Sequence, residues 1–234
     1  MKIDNMTIID KIREVKSKFP NKTAIIDLKN NTEATFSQID TQSEAVYNYL
    51  KKNNFSKGDK VLVINTGYFG ERFAKIAEIY ALDVINLKYE FGDGYELDDV
   101  KKILSENPDL KGILATHSET SVGILNDIKA LGDLTKNTDI LLVVDTISGL
   151  VANDFDFDGW NIDVAIAGSQ KAFLIPPGLS FITISDKAKK AMERSDLPKY
   201  YLSIKQYEKY FEEMTETPYT PAISLIIALN YSLK

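Results

Sequence analysis

Ile140-Leu-Leu-Val-Val-Asp145 and Val164-Ala-Ile-Ala-Gly-Ser-Gln-Lys171 are two short apolar runs, each leading straight into polar residues able to do chemistry. Runs of this length that lack polar alternation read as strands buried on both faces. Val61–Ile64, Val84–Leu87, Gly112–Thr116 and Ser180–Ile184 read the same way. Helical spacing fills the gaps between them. Phe73, Ile76, Ala77 and Tyr80 recur at i, i+3, i+4 and i+7, and Leu97, Val100, Leu104 and Ile124, Ile128, Leu131 repeat the pattern. Strands alternating with helices predict an α/β fold with a mainly parallel, doubly wound sheet, whose ligands sit at the carboxyl ends of the strands.

The first sixty residues read as a small α+β segment. Ala24–Leu28 and Glu33–Phe36, joined by Lys29-Asn30-Asn31-Thr32, suggest a hairpin. Ser37 with Asp40 three residues on suggests a helix start, with Ile39, Val46 and Leu50 on one face. Towards the other end, helices are expected near 199–214, with Tyr200, Ile204, Tyr207 and Phe211 as a core stripe, and again after Pro221.

Composition narrows the classes of function. With 234 residues, 44% of them hydrophobic, the chain can bury one good core and a small appendage. Lys and Arg number 28 against 34 Asp and Glu, a net charge of −6. That argues against nucleic acid or a membrane surface as partner, because a basic patch supplies the affinity for both. The absence of cysteine excludes disulfides, thiolate chemistry and cysteine-bound zinc, and fits a cytoplasmic location. A single histidine, His117, leaves no multi-histidine metal site in one chain and reads as a structural hydrogen-bonding residue. Asp4 and Asp10 break up the start, which does not read as a signal peptide, and no apolar run reaches the length of a membrane span. Asp154-Phe-Asp-Phe-Asp158 lacks the glycine and distal glutamate of a calcium loop, so it reads as a solvated loop anchored by two aromatics.

Asp145 and Lys171 therefore offer an acid and an amine to one crevice at the strand ends. Taken singly, each has a plainer reading: Asp145 as a turn or helix cap, Lys171 as a solvated loop lysine. Together they suit pyridoxal 5'-phosphate, which needs a carboxylate to keep its ring nitrogen protonated and a lysine to hold its aldehyde. Released by an incoming amino acid, the same lysine can move the α-proton.

Several motifs in register carry a family resemblance. His117-Ser-Glu-Thr-Ser-Val-Gly123, Val143-Val-Asp145, Gly168-Ser-Gln-Lys171-Ala, Pro176-Pro-Gly178 and Ile64-Asn-Thr-Gly-Tyr-Phe-Gly-Glu-Arg72 resemble the motif series of class V aminotransferases. The nearest branch is serine–pyruvate/alanine–glyoxylate aminotransferase, and the likeness runs from about residue 58 to 234. The resemblance implies the large domain of an aminotransferase of fold type I, a homodimer, and transamination between serine or alanine and glyoxylate or pyruvate. It implies that Lys171 is the Schiff-base lysine and that Asp145 pairs with the pyridinium nitrogen. Phe69 would stack on the ring, Ile147 would pack on its other face, and the Thr120 hydroxyl would reach its phenolic oxygen. Gln170 would help hold the phosphate, and Thr217 would reach the phosphate of the partner subunit.

Two departures qualify these expectations. Phe19-Pro-Asn-Lys-Thr-Ala-Ile-Ile26, Thr35-Phe-Ser-Gln-Ile-Asp40 and Lys57-Gly-Asp-Lys60 resemble the opening of adenylate-forming synthetases, not the family's phosphate-cradling loop. The chain then reads as residues 1–60 of synthetase-like type followed by a cofactor domain over 61–234. The ligase reading itself finds no glycine-rich nucleotide loop. The chain also stops at Lys234, before the small domain whose arginine clamps the substrate carboxylate in the family. The alternative to an active transaminase is thus a weakly active or non-catalytic hybrid that keeps the cofactor-binding fold.

Overall fold

The computed structural model describes residues 8–27, 32–39, 41, 58–195 and 197–234. The chain forms two compact units, residues 1–58 and 59–234.

In the first unit, α1 (Ile8–Lys18) precedes β1 (Thr23–Asp27) and β2 (Thr32–Thr35). The two strands pair antiparallel, with Asp27 opposite Thr32. The turn expected between them lies outside the described residues, as do Asp40, Val46 and Leu50. Strand β2 stops at Thr35 and residues 36–39 are helical, so Phe36 leaves the strand to which sequence assigned it. The cap is Thr35, not Ser37. The Thr35 hydroxyl accepts the Gln38 N–H at 3.2 Å while Gln38 Oε1 accepts the Thr35 N–H at 2.8 Å, a reciprocal capping box.

The second unit is built on one six-stranded sheet. Its strands are β3 (Lys60–Asn65), β4 (Asp83–Lys88), β5 (Gly112–Thr116), β8 (Leu141–Asp145), β9 (Val164–Gly168) and β10 (Ser180–Ile184). A two-stranded ribbon, β6 (Ser118–Glu119) and β7 (Ile124–Leu125), follows β5. The order across the sheet is β4-β3-β5-β8-β9-β10. All neighbours are parallel except β9 and β10, which run antiparallel. The helices are α2 (Tyr68–Ile79), α3 (Leu97–Glu106), α4 (Ile128–Thr135), α5 (Asp186–Glu193), α6 (Ile204–Met214) and α7 (Ile223–Ser232).

Alternation along the strands divides the core between two faces. Val61, Val63 and Leu114 pack with Ala74 and Ala77 of α2. Leu62, Ile64, Ile113, Ala115, Leu142 and Val144 pack with Val100 of α3 and Ile128 and Leu131 of α4. Leu62, Ile113, Leu131, Leu142 and Val144 are wholly inaccessible to solvent. Phe155 and Phe157 of the acidic loop pack on this second cluster, while Asp154, Asp156 and Asp158 are exposed.

At the end of the sheet opposite the candidate site, Asp163 ties three elements together. Its buried carboxylate accepts the Leu142 N–H at 2.9 Å and the Ser185 hydroxyl at 2.7 Å, and it pairs with the Lys187 ammonium at 2.8 Å. These bonds hold the starts of β8, β9 and α5 in register.

Three further expectations need correction. Ile124 lies in β7, and α4 starts only at Ile128, where the Asp127 side chain accepts the Ala130 N–H. The helix expected from Lys199 begins at Ile204, because the preceding residues form turns in which the Ser203 N–H reaches the Tyr200 carbonyl. Its aromatic stripe is not core: Tyr200 and Phe211 are 76% and 67% exposed.

Gly132 is required where α4 crosses the loop before β9, since a Cβ there would lie 1.7 Å from the Trp160 carbonyl oxygen. Gly132→Ala is expected to lower unfolding free energy by about 3 kcal/mol, because backbone meets backbone and neither side can rotate away. Urea denaturation measures it, and stability equal to the parent's would show that this crossing yields.

Candidate active site

Strand β3 is flanked by β4 on one side and β5 on the other, so the connections reverse direction there. Crevices form at such switch points, beyond the carboxyl ends of the strands. Four successive parallel strands deliver side chains to that edge. Phe69 follows β3 in the first turn of α2, and Thr120 follows β5 and the ribbon strand β6. Asp145 is the last residue of β8, and Lys171 lies in the turn after β9.

Asp145 is the electrostatic centre of the group. Its Oδ1 accepts the Ile147 N–H at 2.8 Å, and its backbone carbonyl accepts the His117 N–H at 2.8 Å. Burial pushes its carboxyl above the ordinary value, the Ile147 N–H pulls it down, and the Glu119 charge pushes it up. The Arg72 and Lys171 cations pull it down. Oδ2 carries no hydrogen bond among the described residues. A half-desolvated carboxyl with a free oxygen is matched to a protonated ring nitrogen, which would favour its charged form. Lys171 is exposed and makes no ion pair or side-chain hydrogen bond among the described residues, so its amine is available. These donors fit pyridoxal phosphate.

The other candidates divide. Thr120 is exposed and joined to Ser148 by a 2.6 Å hydroxyl–hydroxyl bond, which ties the turn after β5 to the turn after β8. Ile147 is half-buried beside Asp145, and Gln170 is exposed next to Lys171. Phe69 is half-buried, with the Arg72 guanidinium 5.1 Å from its ring centre and 5.0 Å from that of Tyr68. Thr217 is not brought to this group. It lines a separate cleft with Tyr201, Tyr219 and Ile226, and its hydroxyl donates to the Tyr219 carbonyl at 2.7 Å.

The loop bearing Lys171 is braced from two sides. The Ser169 hydroxyl donates to the Pro176 carbonyl and accepts the Leu179 N–H, closing residues 169–179 into one compact loop. The Ser232 hydroxyl of α7 donates to the Phe173 carbonyl. The side-chain hydrogen bond expected of His117 finds no partner among the described residues. The residue is 2% exposed, its Nδ1 has no partner among them, and it packs with its ring centre 5.6 Å from Phe155 and 5.8 Å from Trp160.

Sequence reasoning passed over Glu119. It is wholly buried, and its Oε2 accepts the N–H groups of both Phe69 and Gly70 at 3.0 Å. Its Oε1 accepts the Ser121 hydroxyl at 2.6 Å and the Ser121 N–H at 3.2 Å. The only signal in the sequence is its place beside Thr120 in the motif.

Because the folded protein holds the Asp145 proton more tightly than the unfolded chain, protonation stabilises it. That contribution is complete below the unfolded pKa of about 4 and is lost as pH rises through the higher folded value. In cofactor-free protein, Asp145→Asn removes the loss. The variant is expected to gain stability over the parent progressively as pH rises above about 4, measured by thermal unfolding at each pH. A difference independent of pH would mean that burial does not govern this group.

The family model for aminotransferase class-V matches residues 5–234. An uncharacterized aminotransferase of Methanocaldococcus jannaschii is 44% identical over 182 residues, which make up 77% of this chain and 47% of that protein. The serine–glyoxylate aminotransferase of Arabidopsis thaliana is 32% identical over 91% of this chain and 55% of its own. The crystal structure of alanine–glyoxylate aminotransferase from Nostoc sp. superposes with a TM-score of 0.71, at 29% identity, over 76% of this chain and 48% of its own. The chain spans about half the length of the relatives it matches. With the family model running almost from end to end, and the strand-end motifs lying on a mainly parallel sheet of the same fold, this chain belongs to the class V aminotransferases.

Proposed function

We propose that this protein uses pyridoxal 5'-phosphate to transfer an amino group from a small amino acid, serine or alanine, to a 2-oxo acid such as glyoxylate or pyruvate. The observation that carries the reading is the pair at adjacent strand ends: a half-buried carboxyl with one oxygen free among the described residues, and an amine without a partner among them whose charge it feels. The serine–glyoxylate and alanine–glyoxylate names of two relatives support the substrate class.

In this reading, the bound cofactor supplies an aldehyde for the amino group and a ring that draws electrons from the breaking bond. Asp145 Oδ2 holds the proton on the ring nitrogen, which keeps the ring electron-poor. Lys171 would hold the aldehyde carbon, and its Nζ, when freed by an incoming amino acid, would serve as the base that carries the α-proton. Phe69 and Ile147 bracket the ring and exclude water from its faces. The Thr120 hydroxyl donates to the phenolic oxygen, and Gln170 contributes to holding the phosphate.

The same reading makes the protein a homodimer, with Thr217 serving the phosphate of the partner subunit. The exposed apolar side chains of α7 support it, because Ile223, Ile227 and Tyr231 are 62%, 53% and 72% exposed and ask to be covered. No helix among the described residues is long and apolar enough to cross a membrane. A cytoplasmic location fits the absence of cysteine.

Reduction with borohydride in the presence of pyridoxal phosphate, followed by peptide mapping, is expected to place the pyridoxyl group on Lys171. An adduct on other lysines alone refutes the assignment. Asp145→Asn should slow the half-reaction with an amino donor by about ten- to a hundredfold, the worth of one charge-assisted hydrogen bond, while weakening cofactor binding far less. Sedimentation equilibrium should give a dimer whose association tightens with cofactor, since the cofactor favours the assembled form. A monomer that binds the cofactor tightly would contradict the shared site.

A further inference from the structure

Helix α2 begins without a cap of its own. Gly67 occupies the N-cap position and offers no side-chain hydrogen bond. An uncapped helix leaves its first N–H groups orphaned, yet here each of the first three is satisfied from a segment about fifty residues further along the chain. The Tyr68 N–H donates to the Ser121 hydroxyl at 3.0 Å, and those of Phe69 and Gly70 donate to Glu119 Oε2. Ser121 in turn donates to Glu119 Oε1. One buried carboxylate and one hydroxyl thus close the whole first turn. The fit is tight: a Cβ on Gly67 would sit 2.6 Å from Glu119 Cγ and 2.7 Å from Ser121 Oγ, so the missing cap side chain is the condition for the remote one.

That turn carries Phe69. The next residue after Glu119 is Thr120, and the Glu119 charge reaches Asp145. We propose that Glu119 is a positioning residue for the cofactor: by clamping the first turn of α2 to the turn after β5, it fixes the Phe69 ring relative to Thr120 and Asp145, and so fixes where the cofactor ring lies. The role rests on the reading under Proposed function. A backbone N–H bond to an ionisable acceptor is about twice as strong as a neutral one, and it is directed at the residue whose ring must not drift. Gln at this position keeps one acceptor oxygen for the helix N–H groups but turns an amide towards the Ser121 N–H, which then has no acceptor.

Two measurements on the full chain test the clamp and its consequence separately. Amide hydrogen exchange on cofactor-free protein reads the first turn directly. Glu119→Gln is expected to speed exchange at residues 69 and 70 by about tenfold, because their charge-assisted bonds to the carboxylate become neutral bonds of about half the strength. Unchanged protection there overturns the proposal whatever the cofactor does. Titration with pyridoxal phosphate reads the consequence. Glu119→Gln is expected to weaken binding about tenfold and to reduce the visible circular dichroism per bound cofactor, while Glu119→Asp restores part of both. Asp163→Asn, which unties another buried carboxylate at the opposite end of the sheet, serves as the comparison for a structural loss and should leave the dichroism per bound cofactor intact. Equal loss of signal in both variants, or parent-like binding and dichroism in Glu119→Gln, shows a merely structural residue and overturns the role. A parent protein with no cofactor band sinks the cofactor reading itself, and with it any positioning, even where the exchange result stands.

Discussion

A parallel strand buried on both faces can expose its polar ends only at its two edges, and in a parallel sheet every strand shares the same carboxyl edge. That constraint organises the second unit. Between Lys60 and Gly168 the interior positions are spent on aliphatic side chains divided between two helical layers, so polar residues gather where the strands stop. Phe69, Thr120, Asp145 and Lys171, far apart in sequence, then converge without any local signal bringing them together. The antiparallel β10 closes the edge of the sheet and returns the chain beneath the Lys171 loop, with Phe173 and Phe181 paired at 4.8 Å.

Within that edge the charges are unevenly compensated. Asp163, at the far end, has an ammonium and two hydrogen-bond donors on its oxygens; Asp145 has one N–H and only distant cations. A buried carboxylate costs least when paired and hydrogen-bonded, so Asp163 is an anchor whereas Asp145 is left short of a partner. Such under-satisfied groups are the mark of a site that waits for a ligand's charge. The Arg72 guanidinium, spread over the Tyr68 and Phe69 rings, tempers the deficit without filling it.

The sheet was legible in sequence because its signal is local. All six strands of the sheet announce themselves as apolar runs with ends off by a residue at most, whereas α4 and α6 begin several residues later than their apolar stripes suggest. What failed was long-range. The stripe of Tyr200, Ile204, Tyr207 and Phe211 says that one face is apolar, but not that anything covers it, and here it lies largely open. Ile124 matches the helical spacing by chance, since Asp127 supplies the cap that begins α4. Ser37 and Thr35 both offer hydroxyls, and only the Gln38 side chain's return bond decides between them. Asp145 closes β8 and Lys171 follows β9, so local signals place both at the same sheet edge, whereas the resemblance assigns Thr217 to a partner subunit's site and it stands in another cleft of its own chain.

Glu119 carries this lesson furthest, because it changes what the helix start can do. The first turn of a helix carries a partial positive charge and free N–H groups, which makes it a natural seat for a phosphate. In α2 that seat is taken: the N–H groups of Tyr68, Phe69 and Gly70 are spent on Ser121 and Glu119. A dianion brought against them would face a buried carboxylate at close range, a repulsion of several kcal/mol at an effective dielectric of about 20. In the proposed reading, a phosphate held near Phe69 would therefore be disfavoured at the start of α2. In our reading that directs it towards Gln170 and the loop that Ser169 closes, the same loop that presents Lys171. The carboxylate that orients the ring's neighbour thereby also decides which end of the crevice is left for the anion.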